Sequence, residues 1–124
     1  MDLSELKKRD EGRWHPVPGS DAEVLIKEIR PSRMDQLTKM ATKKKIAGRG
    51  VAGEVDQNKL NRFLLDEAVL NWKKIEMDGK ALEVNQQNKI MVDGAWTEFR
   101  ELWNGVVLRQ VDEEVEAEEE DLKN

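Results

Sequence analysis

The sequence contains no cysteine, no tyrosine and a single histidine, His15. A chain without cysteine forms no disulfide bridge, has no thiol nucleophile and cannot bind a metal through thiolates. No apolar stretch reaches the ~20 residues that a membrane-spanning helix requires. The opening Met1-Asp2-Leu3-Ser4 does not begin a signal-peptide pattern either. We therefore expect a cytoplasmic protein without a membrane partner.

The composition predicts one small domain with an acidic extension. The chain has 124 residues, of which 38% are apolar and 38% charged, enough for one modest core. We place a single domain at 1–111 and an acidic tail at 112–124, because residues 112–121 include eight acids and no base. Like charges repel, so we expect this tail to stay solvated. Removing these acids and Lys123 leaves 20 basic and 18 acidic residues in 1–111, a nearly neutral domain.

Basic residues are in excess between Arg33 and Arg62, where eight of them face three acids. A basic patch is typical of nucleic-acid-binding proteins. However, no aromatic residues alternate with these lysines, and the pI is 5.1. Lys43-Lys44-Lys45 at the end of a predicted helix would also suit the negative end of the helix dipole. We therefore expect no nucleic-acid partner and keep a nucleic-acid-binding regulator as the third hypothesis.

The N-terminal part predicts a β-hairpin over 12–30, with its turn at Pro18-Gly19-Ser20-Asp21. Pro16 restricts the first strand to the edge of a sheet. An isolated hairpin is marginally stable in water, so one face should rest on helices. The residues expected on that face are Trp14, Val24 and Ile26.

Helical periodicity dominates the rest of the chain, and most tryptophans should anchor the core. The predicted helices run from the cap Ser32 to about Lys45, from the cap Asp56 to about Trp72, from the cap Asn85 to Val92, and from about Ala95 onward. Glycines predict a loop over 47–55, and Asp78-Gly79 predicts a tight turn. Close packing or a bend is expected at Gly105. The fold class is therefore α+β: an N-terminal β-hairpin packed on three to four α-helices.

No arrangement of residues indicates catalysis. Gly48 to Gly53 matches G-x-G-x-x-G, but that motif binds a dinucleotide only after a strand and before a helix of a βαβ unit. His15 has no serine, cysteine or paired carboxylate placed beside it by the sequence. The acids of the tail lack the ligand spacing of a calcium loop. We predict a protein that is not an enzyme and has no catalytic residue, cofactor or metal site.

The order of these features resembles the tail assembly chaperones of long-tailed bacteriophages. The resemblance rests on Glu11-Gly12-Arg13-Trp14 opening a hairpin and on Asn71-Trp72-Lys73-Lys74-Ile75 closing a helix. Asp78-Gly79-Lys80-Ala81-Leu82 and the short helix headed by Asn85-Gln86-Gln87-Asn88 follow, and the chain ends in an acidic helix before Lys123-Asn124. The similarity covers nearly the whole chain.

This resemblance implies a non-enzymatic role in virion assembly in the cytoplasm of the bacterial host. Similar proteins bind the long, helical and poorly soluble tape measure protein and leave before the tail is finished. Candidate contacts are Met34, Leu37, Met40, Val107 and Val111, because an amphipathic helix binds in an apolar groove and methionines adapt to varied partners. The same residues also fit the core of the domain. Tail tube protein and a second copy of this chain are the further partners considered.

A second hypothesis is a structural tail or head-completion component that stays in the virion. The composition of purified particles separates it from the chaperone hypothesis. A chaperone is absent from the particle, whereas a structural component is present in a constant copy number.

Overall fold

The computed structural model describes residues 3–4, 10–47 and 50–108, and within them the fold is α+β, as predicted. The strands are β1 (Arg13–Pro16), β2 (Glu23–Ile26), β3 (Thr42–Ala47), β4 (Gly50–Val55), β5 (Val69–Lys73), β6 (Glu76–Met77) and β7 (Lys80–Ala81). The helices are α1 (Pro31–Met40), α2 (Gln57–Ala68), α3 (Gln86–Ala95) and α4, described over 97–108. The predicted acidic tail, 112–124, lies outside the described residues.

The predicted N-terminal hairpin is confirmed and belongs to a three-stranded antiparallel sheet in the order β1-β2-β5. Gly19 has a φ of +77° in the turn, a conformation that glycine adopts without steric cost. Pro16 lies on the edge strand β1, where its missing N–H leaves no partner strand unsatisfied. Val24 and Ile26 on the central strand are 0% and 2% exposed, so the predicted buried face is correct for these two residues.

Trp14 does not face the helices, contrary to the prediction. It pairs with Leu25, whereas its neighbour His15 pairs with the buried Val24. Side chains alternate across a strand, so Trp14 lies on the opposite face from His15. It is 37% exposed, and Lys73 Nζ lies 4.1 Å from the centre of an indole ring. This cation–π contact covers part of the ring that the core does not.

Helix α1 is shorter than predicted, and the region beyond it is a β-hairpin. Pro31 is the first helical residue and Arg30 is the N-cap, without a side-chain capping bond, so the assignment of Ser32 as cap is wrong. The helix ends at Met40 rather than near Lys45. Residues predicted as helix end and loop instead form β3 and β4, which pair antiparallel. Backbone hydrogen bonds between β3 and β4 stabilise the two strands, and the spacing of neighbouring residues in the sequence does not reveal this pairing.

Helix α2 begins where the sequence predicts. The Asp56 carboxylate accepts a hydrogen bond from the Lys59 backbone N–H at 3.2 Å. This bond, together with the Lys43 ammonium at 3.2 Å, holds the pKa of Asp56 below its usual value. The helix ends at Ala68, not at Trp72, because β5 pairs with β2. Trp72 is therefore a strand residue, 6% exposed, whose indole Nε1–H donates to the Leu82 carbonyl at 2.9 Å.

The chain then makes a short ribbon, β6–β7, and enters helix α3. Asp78 and Gly79 have φ values of +52° and +77°, which confirms the predicted tight turn. Asn85 caps α3 by accepting the Asn88 backbone N–H at 2.8 Å, also as predicted. The helix continues through Asp93 and Gly94 to Ala95, so its predicted end at Val92 is wrong.

The core lies between the three-stranded sheet and the helices. Its largest fully buried side chains are Trp103 and Phe99 of α4, and Phe99 meets Trp72 edge-on at 6.2 Å between ring centroids. The main cluster of buried core residues in the described ranges is Val17, Ala22, Val24, Ile26, Ile29, Leu37, Leu65, Ala68, Val69, Trp72, Ile75, Val92, Phe99, Trp103 and Val107. Within the described ranges, no helix is both long and apolar enough to span a membrane.

Candidate functional site

The residues predicted to contact a partner divide between the core and the surface. Leu37 and Val107 are each 3% exposed and belong to the core, so neither is accessible in this conformation. Met34 is half-buried and packs against the core. Met40 is 53% exposed. Val111 lies outside the described residues.

Other large apolar side chains are exposed, most of them in the second half of the chain. Of the four methionines in the described ranges, Met40, Met77 and Met91 are 53%, 53% and 41% exposed. The remaining exposed large apolar residues in the described part of this half are Leu70, Ile90 and Leu108. Ile90 and Met91 are consecutive on α3 and both are exposed, so the solvent-exposed side of this helix has two adjacent apolar side chains.

A shallow groove of about 180 Å³ lies where α2, α3 and α4 meet. Leu65 of α2 is 2% exposed and lies at its floor, and Ile90 of α3 is 36% exposed at its side. Among the described residues the lining is Asn58, Asn61, Arg62, Leu65, Ile90, Asp93, Gly94 and Arg100. Ile90 is thus the apolar side chain that a ligand can reach, since Leu65 is buried beneath the groove, and the other lining residues are polar or glycine.

Two hydrogen-bonded contacts hold the helices that form this groove. The Lys89 ammonium of α3 donates to the backbone carbonyl of Asp66 at 3.1 Å and to its carboxylate at 3.2 Å. Asp66 is in the last turn of α2, where carbonyls lack helical partners and a cation is favourable. On the other side, the Trp103 indole Nε1–H donates to Asp93 Oδ1 at 2.7 Å and joins α4 to α3. The relative positions of the three helices therefore depend on specific polar contacts as well as on core packing.

The rim of the groove carries more positive than negative charge. Arg62 and Arg100 are exposed, while Asp93 is half-buried and accepts the indole N–H. Arginine binds carboxylates through paired N–H groups. The groove therefore suits a helix whose apolar stripe is flanked by acidic side chains. Gly94 adds access to the α3 backbone, because a Cβ at this position would meet nothing within 4 Å.

A larger cleft, about 310 Å³, lies beside the start of α1, but its charges are already paired. Glu67 accepts Arg33 Nε at 2.5 Å and lies 3.7 Å from Lys27 Nζ. Arg30 donates to Asp10 at 2.6 Å. A ligand would have to displace these ion pairs, so this cleft is better explained as a network that attaches α1 to its surroundings.

No catalytic geometry is seen in the part of the chain that the structure describes. Among those residues, no group of three or more His, Asp or Glu side chains is placed to hold a metal ion. His15 is half-buried on β1. The described glycines of the G-x-G-x-x-G string, Gly50 and Gly53, lie on strand β4 and do not begin a helix. The arrangement therefore lacks the context in which that string binds a dinucleotide.

Sequence reasoning did not identify the groove residues Arg62, Ile90 and Arg100. One feature of the sequence indicated an exposed apolar position here, because Ile90, Met91 and Val92 are consecutive in a helix. A helix directs three consecutive side chains over most of its circumference, so they cannot all face one core. Which of them is outside depends on how α3 packs.

Comparison of the chain with known protein families, curated proteins and solved structures finds no match.

Proposed function

We propose that this chain is a tail assembly chaperone of a long-tailed bacteriophage, which binds the tape measure protein in the host cytoplasm without catalysis. The binding site is the groove between α2, α3 and α4, and its ligand is an amphipathic helix. The observation that carries the proposal is the exposed apolar side chain of Ile90 in a groove that the exposed Arg62 and Arg100 also line. Such a groove accepts the apolar stripe of a helix and pairs with acids beside that stripe.

The order of elements supports the proposal. The hairpin that Gly12-Arg13-Trp14 opens, the Asp78-Gly79 turn and the helix capped by Asn85 occur in the order on which the resemblance rests. The segment Asn71-Trp72-Lys73 is a strand rather than the end of a helix. The resemblance therefore concerns the order of motifs, and the assignment of this one segment to a helix is corrected.

The size of the groove limits the affinity of a single contact. A volume of about 180 Å³ holds few side chains, so one helix buries little apolar area on one copy of this protein. Met91, beside Ile90, adds a flexible apolar contact that adapts to different helices. We therefore expect several copies to bind along one tape measure chain, each weakly, with solubility arising from their combined coverage.

The test is co-expression with the tape measure protein from the same genome, followed by size exclusion with light scattering. The intact chain should give a soluble complex that contains several copies. Ile90→Asp introduces a carboxylate at the apolar side of the groove and should abolish it. Met77→Asp is the matched control, because Met77 is an exposed apolar residue outside the groove lining. It should leave the complex intact.

Two results would contradict the proposal. One is a tape measure protein that stays insoluble beside unbound copies of the intact chain. The other is equal loss of the complex with Ile90→Asp and Met77→Asp, which would exclude the groove as the binding site. Mass spectrometry of purified particles tests the structural-component alternative, since a constant copy number in the virion would favour it.

A further inference from the structure

The hairpin β3–β4 is inserted between α1 and α2 and has its own sheet. Within the described residues its two strands pair only with each other, with Thr42 opposite Val55 and Ala47 opposite Gly50. The backbone N–H of Asp56 donates to the Ala41 carbonyl at 2.9 Å and closes its base. The insertion is therefore a two-stranded ribbon attached to the domain at one end. We call these two strands, 42–47 and 50–55, the basic ribbon.

The structure removes one reason for expecting no nucleic-acid partner. The run Lys43-Lys44-Lys45 does not lie at the end of a helix, because α1 ends at Met40 and the lysines are on strand β3. Their charges therefore do not compensate the helix dipole. In sequence, these two strands contain three basic residues, Lys43, Lys44 and Lys45, and a single acid, Glu54. The acidic pI reflects the tail at 112–121 rather than this element.

The placement of the lysines favours a ligand that surrounds the ribbon. Lys43 and Lys44 are both exposed, and adjacent strand positions lie on opposite faces. Lys43 is 68% exposed at its side chain although it lies 3.2 Å from the Asp56 carboxylate, so its charge remains accessible. An acidic peptide lying on one face would meet only some of these cations. A groove of duplex DNA has phosphates on both sides, and the major groove admits a two-stranded ribbon.

The facing strand makes the ribbon thin. The residues opposite Lys44 and Lys45 are Gly53 and Ala52, which are among the smallest side chains. At Gly53 a Cβ would come within 3.1 Å of the Thr42 Cγ2 methyl, so a larger residue requires Thr42 to shift. Lys44 and Lys45 therefore have no bulky residue opposite them on the partner strand, whereas Lys43 is opposite Glu54.

We propose that the basic ribbon is a nucleic-acid-binding arm that contacts the phosphates of duplex DNA without reading its sequence. Its exposed cations, Lys43 and Lys44, are lysines, which bind phosphate groups as point charges. Binding is therefore electrostatic, weak and steeply dependent on salt. The ribbon contributes no residue to the groove lining of the proposed function, so either proposal can fail alone.

The test measures fluorescence anisotropy of a labelled DNA duplex with the full-length chain over a series of KCl concentrations. Three phosphate contacts give a slope of about −2.7 for log K against log salt. Raising KCl from about 50 mM to about 200 mM should then weaken binding about 40-fold. The triple variant Lys43→Gln, Lys44→Gln, Lys45→Gln should lose nearly all of this slope. Circular dichroism verifies that it remains folded.

The matched control changes the same charge elsewhere: Lys73→Gln, Lys74→Gln, Lys80→Gln. These three lysines are exposed and lie outside the ribbon. The control should retain the slope of the intact chain. Equal losses in both triple variants would mean that the total charge of the protein, rather than the basic ribbon, causes binding, and would overturn the proposal. Absence of binding by the intact chain at low salt would overturn it as well. Tighter binding to labelled polyglutamate than to the duplex would also overturn it and identify an acidic protein segment as the ligand.

Discussion

The bond between Trp103 and Asp93 allows a quantitative test of how α4 is held against α3. Trp103 is 1% exposed, and its Nε1–H donates to the Asp93 carboxylate at 2.7 Å. Trp103→Phe removes this hydrogen bond to a charged group, at about 2 kcal/mol. The lost apolar atoms of the indole add about 1 kcal/mol. We therefore expect the free energy of unfolding to fall by about 3 kcal/mol.

A double-mutant cycle separates the hydrogen bond from the packing. Asp93→Asn keeps an oxygen acceptor but removes its charge, and should cost about 1 kcal/mol in the intact protein. In the Trp103→Phe background the same change should cost almost nothing, because no indole N–H remains. The coupling energy is therefore about 1 kcal/mol.

Urea denaturation followed by far-UV circular dichroism measures these differences without depending on tryptophan fluorescence. The dependence of unfolding free energy on urea should be equal in all four proteins, which verifies that they unfold to the same extent. An equal cost of Asp93→Asn in both backgrounds would refute the reasoning, because it would mean that the two side chains do not interact. Trp103→Phe with no loss of stability would refute it as well.

Three further predictions concern single positions. Gly105→Ala should raise the free energy of unfolding by about 1 kcal/mol, because a Cβ there meets nothing within 4 Å. A loss of stability would instead favour the close packing that the sequence predicts at this position. Leu37→Ala should cost about 3 kcal/mol in urea denaturation and Met40→Ala less than about 0.5 kcal/mol, because Leu37 is 3% exposed and Met40 is 53% exposed; similar costs would contradict this difference in burial. The folded pKa of Asp56 lies below its ordinary 3.8, so its charge stabilises the fold above that pH and this contribution disappears as the pH falls through the folded value. Asp56→Asn should therefore lower the melting temperature at neutral pH, by an amount that shrinks below about pH 4, whereas a constant difference would exclude the charge as the cause.

Features that depend on neighbouring residues were predictable from the sequence. The side chains of Asp56 and Asn85 cap their helices by accepting hydrogen bonds from backbone N–H groups three residues further along the chain. The turn at Asp78-Gly79 involves adjacent residues. The hairpin at 12–30 likewise joins strands through a short turn. In each case the interacting groups are close in the chain, so residue type and spacing contain the information.

Features that depend on distant pairing were not predictable. Val69 and Trp72 have the spacing of one helix face, and both are also buried on β5 because the register shifts between Leu25 and Ile26 of β2. The sequence pattern of this segment therefore fits a helix and a strand equally. The lysines of β3 were assigned to a helix for a similar reason, since only the pairing of β3 with β4 identifies them as a ribbon.

The sequence by itself determined the fold class, the caps Asp56 and Asn85, the turns at Gly19 and Asp78-Gly79 and the edge position of Pro16, because these follow from local hydrogen bonding and backbone restriction. Tertiary structure alone decided which apolar side chains a partner can reach. Leu37 and Ile90 both lie on amphipathic helices, yet Leu37 is 3% exposed and Ile90 is 36% exposed. The difference arises from packing between elements distant in the chain: α3 turns Lys89 and Val92 inward, which leaves Ile90 at the groove.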